Sequence, residues 1–213
     1  MTDKARFDPG CARCARLAGF LREVRSQHPG YWARPVPSFG AADPRILIVG
    51  LAPGLHGANR TGRPFTGDYA GILLYQTLYD AGLATRAHSE SRDDALRLRH
   101  ARIINSVKCV PPQNKPTPAE IRTCNAYLRA ELESLARVKV VLALGRIAHD
   151  AFLRASALKP SAFPFGHGRE HPLEDGRTLI DSYHCSRYNT STRRLTPQMF
   201  ASVVARTCAL AGV

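Results

Sequence analysis

Acidic side chains are scarce: 17 Asp plus Glu stand against 30 Lys plus Arg, a formal net charge of +13 over 213 residues. A surface that basic repels itself unless it faces a polyanion, so nucleic acid is the leading partner class. High Arg usage with no such partner is the plainer reading of the same numbers. Long apolar runs are missing as well. Residues 138–144 form one of the longest stretches, far short of the ~20 residues that a spanning helix needs. The N-terminal residues 1–10 carry charges of both signs and no apolar run, which argues against a secretory leader. A cytoplasmic, nucleoid-associated bacterial protein with no membrane contact is expected, its thiols reduced. No Gly-Lys-Ser/Thr closes a Walker phosphate loop, and there is no internal repeat or low-complexity tract. Hydrophobic residues at 44% and charged residues at 22% suit an ordinary globular chain. One domain over residues 1–213 is expected.

Helices and short buried strands alternate along the chain. Residues 13–27 read as a helix, and the apolar run 45–50 as a strand buried on both faces. Residues 67–82 have helical spacing; 101–110 read as a second strand. Thr117, Pro118 and Glu120 mark a helix start, with a capping box and proline at the first helical position. That helix is expected to reach about residue 137. Residues 138–145 and 177–183 complete four strands, and a last helix opens at Thr196–Pro197. The alternation predicts an α/β fold of three layers, α/β/α, with a short, mostly parallel four-stranded sheet. Sites in such sheets form beyond the carboxyl ends of the strands.

Six cysteines in a reducing compartment read as metal ligands or buried thiols before they read as disulfides. Cys11 and Cys14 form a C-x2-C pair; Cys109, at the end of the expected second strand, and Cys124, in the next helix, are more widely spread. Four thiolates suit a [4Fe–4S] cluster, one for each iron. Zinc, which prefers two tight pairs, is the competing metal, and inert buried thiols are a third reading. Cys185 and Cys208 fit neither pair and are expected to pack. His167 and His171 have the spacing of a metal pair, but the glycines and proline around them argue for a structural turn.

The glycine-rich stretch 50–68 follows a buried strand and precedes a helix. Its glycines 50, 54, 57, 62 and 67 let backbone approach a ligand, and Arg60 and Arg63 add charge. A long glycine-rich loop with no ligand is the alternative. Gly50-Leu51-Ala52-Pro53-Gly54 and Phe65-Thr66-Gly67-Asp68, together with residues 184–196 from His184 to Thr196, resemble the type B (family 5) uracil-DNA glycosylases. The cysteine spacing resembles that family's cluster ligands. The resemblance runs from Cys11 to Thr196.

The resemblance implies the three-layer fold and a structural [4Fe–4S] cluster on Cys11, Cys14, Cys109 and Cys124. It also implies base flipping on double-stranded and, as a second form, single-stranded DNA, carried out by a monomer. Residues 50–54 match the first glycosylase motif. Where sister families place a polar, water-activating residue, this chain has Leu51 and Ala52, so the carboxylate becomes Asp68. Phe65 matches the aromatic that stacks on the extruded base, Asn105 an active-site asparagine, and His184 the contact to the base's O2. Tyr188 departs from the polar residue expected at its place. His56 and Asn59, inside the glycine-rich loop, are expected to touch substrate.

Hydrolysis of an N-glycosidic bond needs these residue types. A carboxylate stabilises the cationic sugar and orients water, a neutral imidazole donates to the departing base, and an amide reads the base edge. Basic loops grip the backbone while a wedge fills the stack. Arg60 and Arg63 are expected to touch DNA, as is the loop holding Arg187, Tyr188, Asn189, Arg193 and Arg194. Taken singly, Asp68 reads equally as a helix cap, Asn105 as a turn and His184 as a strand-end histidine. Uracil is the expected substrate, with hypoxanthine, ethenocytosine and mismatched thymine beside it. A non-catalytic iron–sulfur DNA-binding module is the alternative, and a nucleotide-processing enzyme a third reading.

Overall fold

The computed structural model describes residues 7–213; residues 1–6 of the expected domain lie outside the described residues. In chain order the strands are β1 (Phe39–Gly40), β2 (Ile46–Gly50), β3 (Ala101–Asn105), β4 (Val140–Leu144), β5 (Glu170–Pro172) and β6 (Thr178–Ser182). The helices are α1 (Ala15–Gln27), α2 (Ala58–Thr61), α3 (Tyr69–Asp80), α4 (Pro118–Ser134), α5 (Arg146–Ala155), α6 (Arg187–Ser191) and α7 (Pro197–Ala211). The sheet runs β1-β3-β2-β4-β6-β5. Its inner strands β3, β2, β4 and β6 are parallel, as expected, and antiparallel edges make it six-stranded, not four-stranded. Those edges are two and three residues long, too short to show a period of two.

Alternation along the inner strands divides the core. Leu47, Val49, Val141, Ala143 and Leu179 turn toward α1, α4 and α5. Ile46, Ile48, Leu142, Leu144 and Ile180 turn toward α3 and α7. Every residue of β2 and β4 is buried, which is why those strands read as continuous apolar runs. The three-layer α/β/α arrangement follows. No helix among the described residues is long and apolar enough to cross a membrane.

The second strand stops at Asn105, five residues before its expected end. Its neighbour β2 ends at Gly50, and beyond Val107 N–H donating to Leu51 O at 2.9 Å the chain peels away. Lys108 N–H then donates to Cys124 Sγ at 3.3 Å, so Cys109 lies in a loop and not on the strand. Thr117 caps α4 with its full capping box, worth ~1 kcal/mol, and the helix ends at Ser134.

His171 is structural, as expected, but sits on β5 and not in a turn. It donates from Nε2 to Asp181 at 3.3 Å, while Asp181 also faces His149 Nδ1 at 2.7 Å. His149 Nε2 faces the Phe163 carbonyl, which only accepts, at 2.7 Å. Nε2 of His149 therefore carries a proton, and Nδ1 and Asp181 share a second one. Burial opposes a charge on the ring, yet the Asp181 hydrogen bond and charge with the Phe163 carbonyl hold the His149 pKa above its ordinary value. A raised histidine stabilises the fold fully below the unfolded pKa of ~6.5 and loses this as pH rises through the folded value. The urea midpoint of His149→Gln should therefore fall furthest below the parent's at about pH 6, the gap shrinking toward pH 9. A gap that widens with pH would show that His149 is buried neutral.

Candidate active site

Three inner strands end on one rim, and the segments that leave those strand ends build the site. Gly50 closes β2. A Cβ there would lie 2.5 Å from Asn105 Oδ1 and 2.8 Å from the Phe65 ring, so only glycine lets both groups settle over the strand end. Phe65 holds a left-handed backbone (φ +53°), unusual for a bulky residue. Tyr75 clamps the segment from below, its hydroxyl donating to Pro64 O at 2.7 Å. The Phe65 ring is buried and lies 5.9 Å from the His184 ring, tilted by 30°.

These groups face a pocket of about 440 Å³, walled by Leu51, Ala52, Phe65, Asp68, Asn105 and His184, with Gly54 and Arg187 also at its lining. Asp68 is the N-cap of α3: Oδ1 accepts from Gly71 N–H at 2.9 Å. A Cβ on Gly57 would lie 2.5 Å from its other oxygen, and one on Gly54 3.4 Å away. Two glycines thus leave Asp68 Oδ2 its room. Burial raises the Asp68 pKa above the usual carboxylate value, opposed by the backbone N–H groups of Gly71 and Ala70. Burial pushes His184 down to about 4, so its imidazole is neutral near pH 7. Asn105 is buried, and its Oδ1 has no partner among the described residues. Leaving such an atom unmet costs ~1–3 kcal/mol, which a ligand N–H would relieve.

Pocket residues that sequence reasoning missed are Tyr69, Ala70, Asn114 and Ser186. Asn114 had a signal: its φ of +57° is a conformation asparagine tolerates, and it ends a proline-rich turn. Tyr69 had only its place beside Asp68.

Several expected contacts are corrected. Arg63 is 3% exposed: it pairs with Asp94, donates to Thr66 Oγ1 at 2.9 Å and to Ser89 Oγ at 2.6 Å, and lies over the Phe39 ring. Its charge is neutralised inside the protein, where it fastens the loop around Ser89, and does not reach DNA. Asn59 is fully buried beneath the loop with Nδ2 turned to Leu55 O, away from the pocket. Pro53 is buried beside the lining, and His56 is exposed outside it, its Nδ1 2.9 Å from the Tyr31 hydroxyl. Asn189 donates its amide to His184 O at 2.8 Å; it positions the histidine instead of reaching outward. Arg60, Arg187, Arg193 and Arg194 are exposed, and Tyr188 is 71% exposed.

Cys11, Cys14, Cys109 and Cys124 line one small cavity with Lys108 and Tyr127. Burial raises the Cys109 thiol, and the other three sulfurs raise it further. A zinc ion at ~2.3 Å from four sulfurs would hold them ~3.8 Å apart. Elsewhere, His149, His171 and Asp181 bring three possible ligand atoms within 4.8 Å of one another. Lys108 Nζ, fully buried beside the four cysteines, has no hydrogen-bond partner among the described residues. Cys185 and Cys208 are buried in the α3–α7 core, as expected.

A family model for the uracil DNA glycosylase superfamily matches residues 37–207. A type-5 uracil-DNA glycosylase of Thermus thermophilus is 49% identical over 208 residues, covering 95% of this chain and 94% of its own. One from Pyrobaculum aerophilum is 42% identical, covering 95% and 89%. A type-4 uracil-DNA glycosylase of Thermotoga maritima is 33% identical over 150 residues, 69% of this chain and 67% of its own. The chain belongs to the uracil DNA glycosylase superfamily and is similar over nearly its whole length to type-5 members.

Proposed function

We propose that the protein is a monofunctional DNA glycosylase that hydrolyses the N-glycosidic bond of uracil flipped out of DNA, opening base excision repair. The observation that carries this reading is a half-buried carboxylate and a neutral imidazole on one pocket with Asn105 Oδ1, which has no partner among the described residues. The extruded base stacks on Phe65, and its imide N–H donates to Asn105 Oδ1. Ionised Asp68 stabilises the cationic sugar and orients the attacking water through Oδ2. Neutral His184 donates a hydrogen bond to the oxygen that gathers charge on the departing base. Hypoxanthine, ethenocytosine and mismatched thymine are further substrates. Exposed Tyr188 at the head of α6 is the wedge, with Arg187, Arg193 and Arg194 on the backbone. The protein works as a monomer in the cytoplasm, on duplex and single-stranded DNA.

The cysteine cavity is proposed to hold a [4Fe–4S] cluster. Four thiols on one cavity, beside a buried Lys108 Nζ with no hydrogen-bond partner among the described residues, suit an anionic group that draws on all four. The cluster would supply a structural cross-link, tying α1 to the loop after β3 and to α4.

Uracil release from synthetic duplex without strand scission tests the activity. Asp68→Asn keeps an acceptor for the α3 cap but removes the charge, and it should lose at least ~10²-fold in kcat/KM, as should His184→Ala. Parental rates in both variants would remove these roles, and no base release by the parent protein would favour a non-catalytic DNA-binding module. Since Asp68 must be ionised and burial raises its pKa, the parent's rate should fall with acid at a pH above the usual carboxylate range. That limb should vanish in Asp68→Asn.

Purified protein should carry about four irons and acid-labile sulfides, with broad visible absorbance. Cys109→Ala should lose that colour and lower Tm. Stoichiometric zinc without sulfide would overturn the cluster assignment.

A further inference from the structure

Asp68 has a second side. Beyond the base pocket, the same residue and Tyr69 line a separate open groove of about 470 Å³, bounded by Arg60, Ile72, His88 and Glu90. Two apolar side chains stand in it about half exposed: Tyr69 is 46% exposed and Ile72 59%. They follow one another at a helical spacing of three on α3, so they form one ledge. The far wall is not a loose loop. Ser89 is fastened to the glycine-rich segment by Gly67 N–H donating to Ser89 O at 3.2 Å, and by the pair of Thr66 and Ser89 hydroxyls at 2.6 Å. Buried Arg63 and Asp94 lock the same wall. Cations flank the ledge: Arg60 is held in place by Nε donating to His56 O at 2.8 Å, and the Arg187 guanidinium lies 5.9 Å from the Tyr69 ring. A rigid groove with an exposed aromatic and flanking guanidinium groups suits a nucleotide, which brings a stacking face and a phosphate together.

We propose that this groove seats the deoxynucleotide next to the extruded one on the same strand. Its base or sugar face lies on Tyr69 and Ile72, and the intervening phosphate passes between Arg60 and Arg187 over Asp68. Continuity carries the assignment, because a strand whose base enters the pocket must continue past the residue that both cavities share. Glu90 and Asp68 offset the bases in the groove, so its contribution comes from stacking more than from net charge. The inference rests on the DNA-glycosylase reading above.

The test uses the full-length protein and single-stranded oligonucleotides with uracil either internal or at the 5′ or 3′ terminal position. The parent should excise internal uracil about tenfold faster than uracil at one of the two ends, the stacking of one base being worth roughly that factor or more. Ile72→Ala should lose most of that preference, lowering kcat/KM on the internal substrate and hardly changing it on the truncated one. Ile72 lines the groove and not the pocket, so its variant separates the two cavities. Equal loss on all substrates, or none on any, would overturn the proposal. The same oligonucleotides carrying a reduced abasic site give dissociation constants, in which the same pattern is expected. If the parent releases no uracil, the glycosylase reading fails alone, and the binding series still decides the groove.

Discussion

The missing side chain of Gly50 organises the site. At the end of a central strand, the volume that any Cβ would fill is taken by Asn105 Oδ1 from one side and the Phe65 ring from the other. Phe65 reaches that place only through a left-handed backbone, clamped by the Tyr75 hydroxyl on Pro64. From there the ring forms one wall toward His184. Asp68 follows three residues later, where the chain enters α3, and its freedom rests on two further glycines at 54 and 57. The glycine-rich loop is therefore less a cradle of amides than a set of absences that lets four bulky or polar groups converge.

Burial then sets opposite directions on the two titratable groups of the pocket. Both lose water, and the carboxylate is raised while the imidazole is lowered. With its pKa at about 4, His184 keeps no charge near pH 7, while two backbone N–H groups at the head of α3 oppose the rise that burial imposes on Asp68. A neutral donor opposite an anion avoids an internal ion pair that would hold the two groups on each other instead of on a ligand. Asn189 completes this arrangement from outside by fixing the His184 carbonyl.

Much of the layout was legible in the sequence, for definite reasons. Strands buried on both faces appear as unbroken apolar runs, and the Thr117-Pro118-Glu120 start of α4 is chemically explicit. Asp68, Asn105, Phe65 and His184 meet because three parallel strands end on one rim. The edge strands escaped because they are shorter than any periodic signal. Arg63 was misread because residue type does not reveal burial. Its partner Asp94 is 31 positions away, in a segment with no regular structure to predict. The same gap hid the groove wall at Ser89. Asn59 and Asn189 show the related limit, since a polar side chain beside a motif serves the loop's own backbone as readily as a substrate.

The apolar character of Leu51 and Ala52 has a physical consequence for the proposed chemistry. With no polar side chain from the first motif in the pocket, Asp68 is the only carboxylate on its lining among the described residues. One group must then serve both the developing cation and the water. Its geometry permits this because the cap occupies Oδ1 alone. In the proposed reaction, apolar Leu51 and Ala52 supply no side-chain hydrogen bond to a base, so Asn105 and His184 would read its edge and Phe65 only its face. Apolar walls reject an unwanted shape weakly, whereas an unmet buried hydrogen-bonding group rejects a mismatched one strongly. In the proposed reaction, a pocket of about 440 Å³ with so few fixed polar atoms would favour a base that can leave the stack and offer a donor to Asn105. On that proposal the cost of extrusion, lowest for mispaired positions, would rank ahead of fit as the source of selectivity.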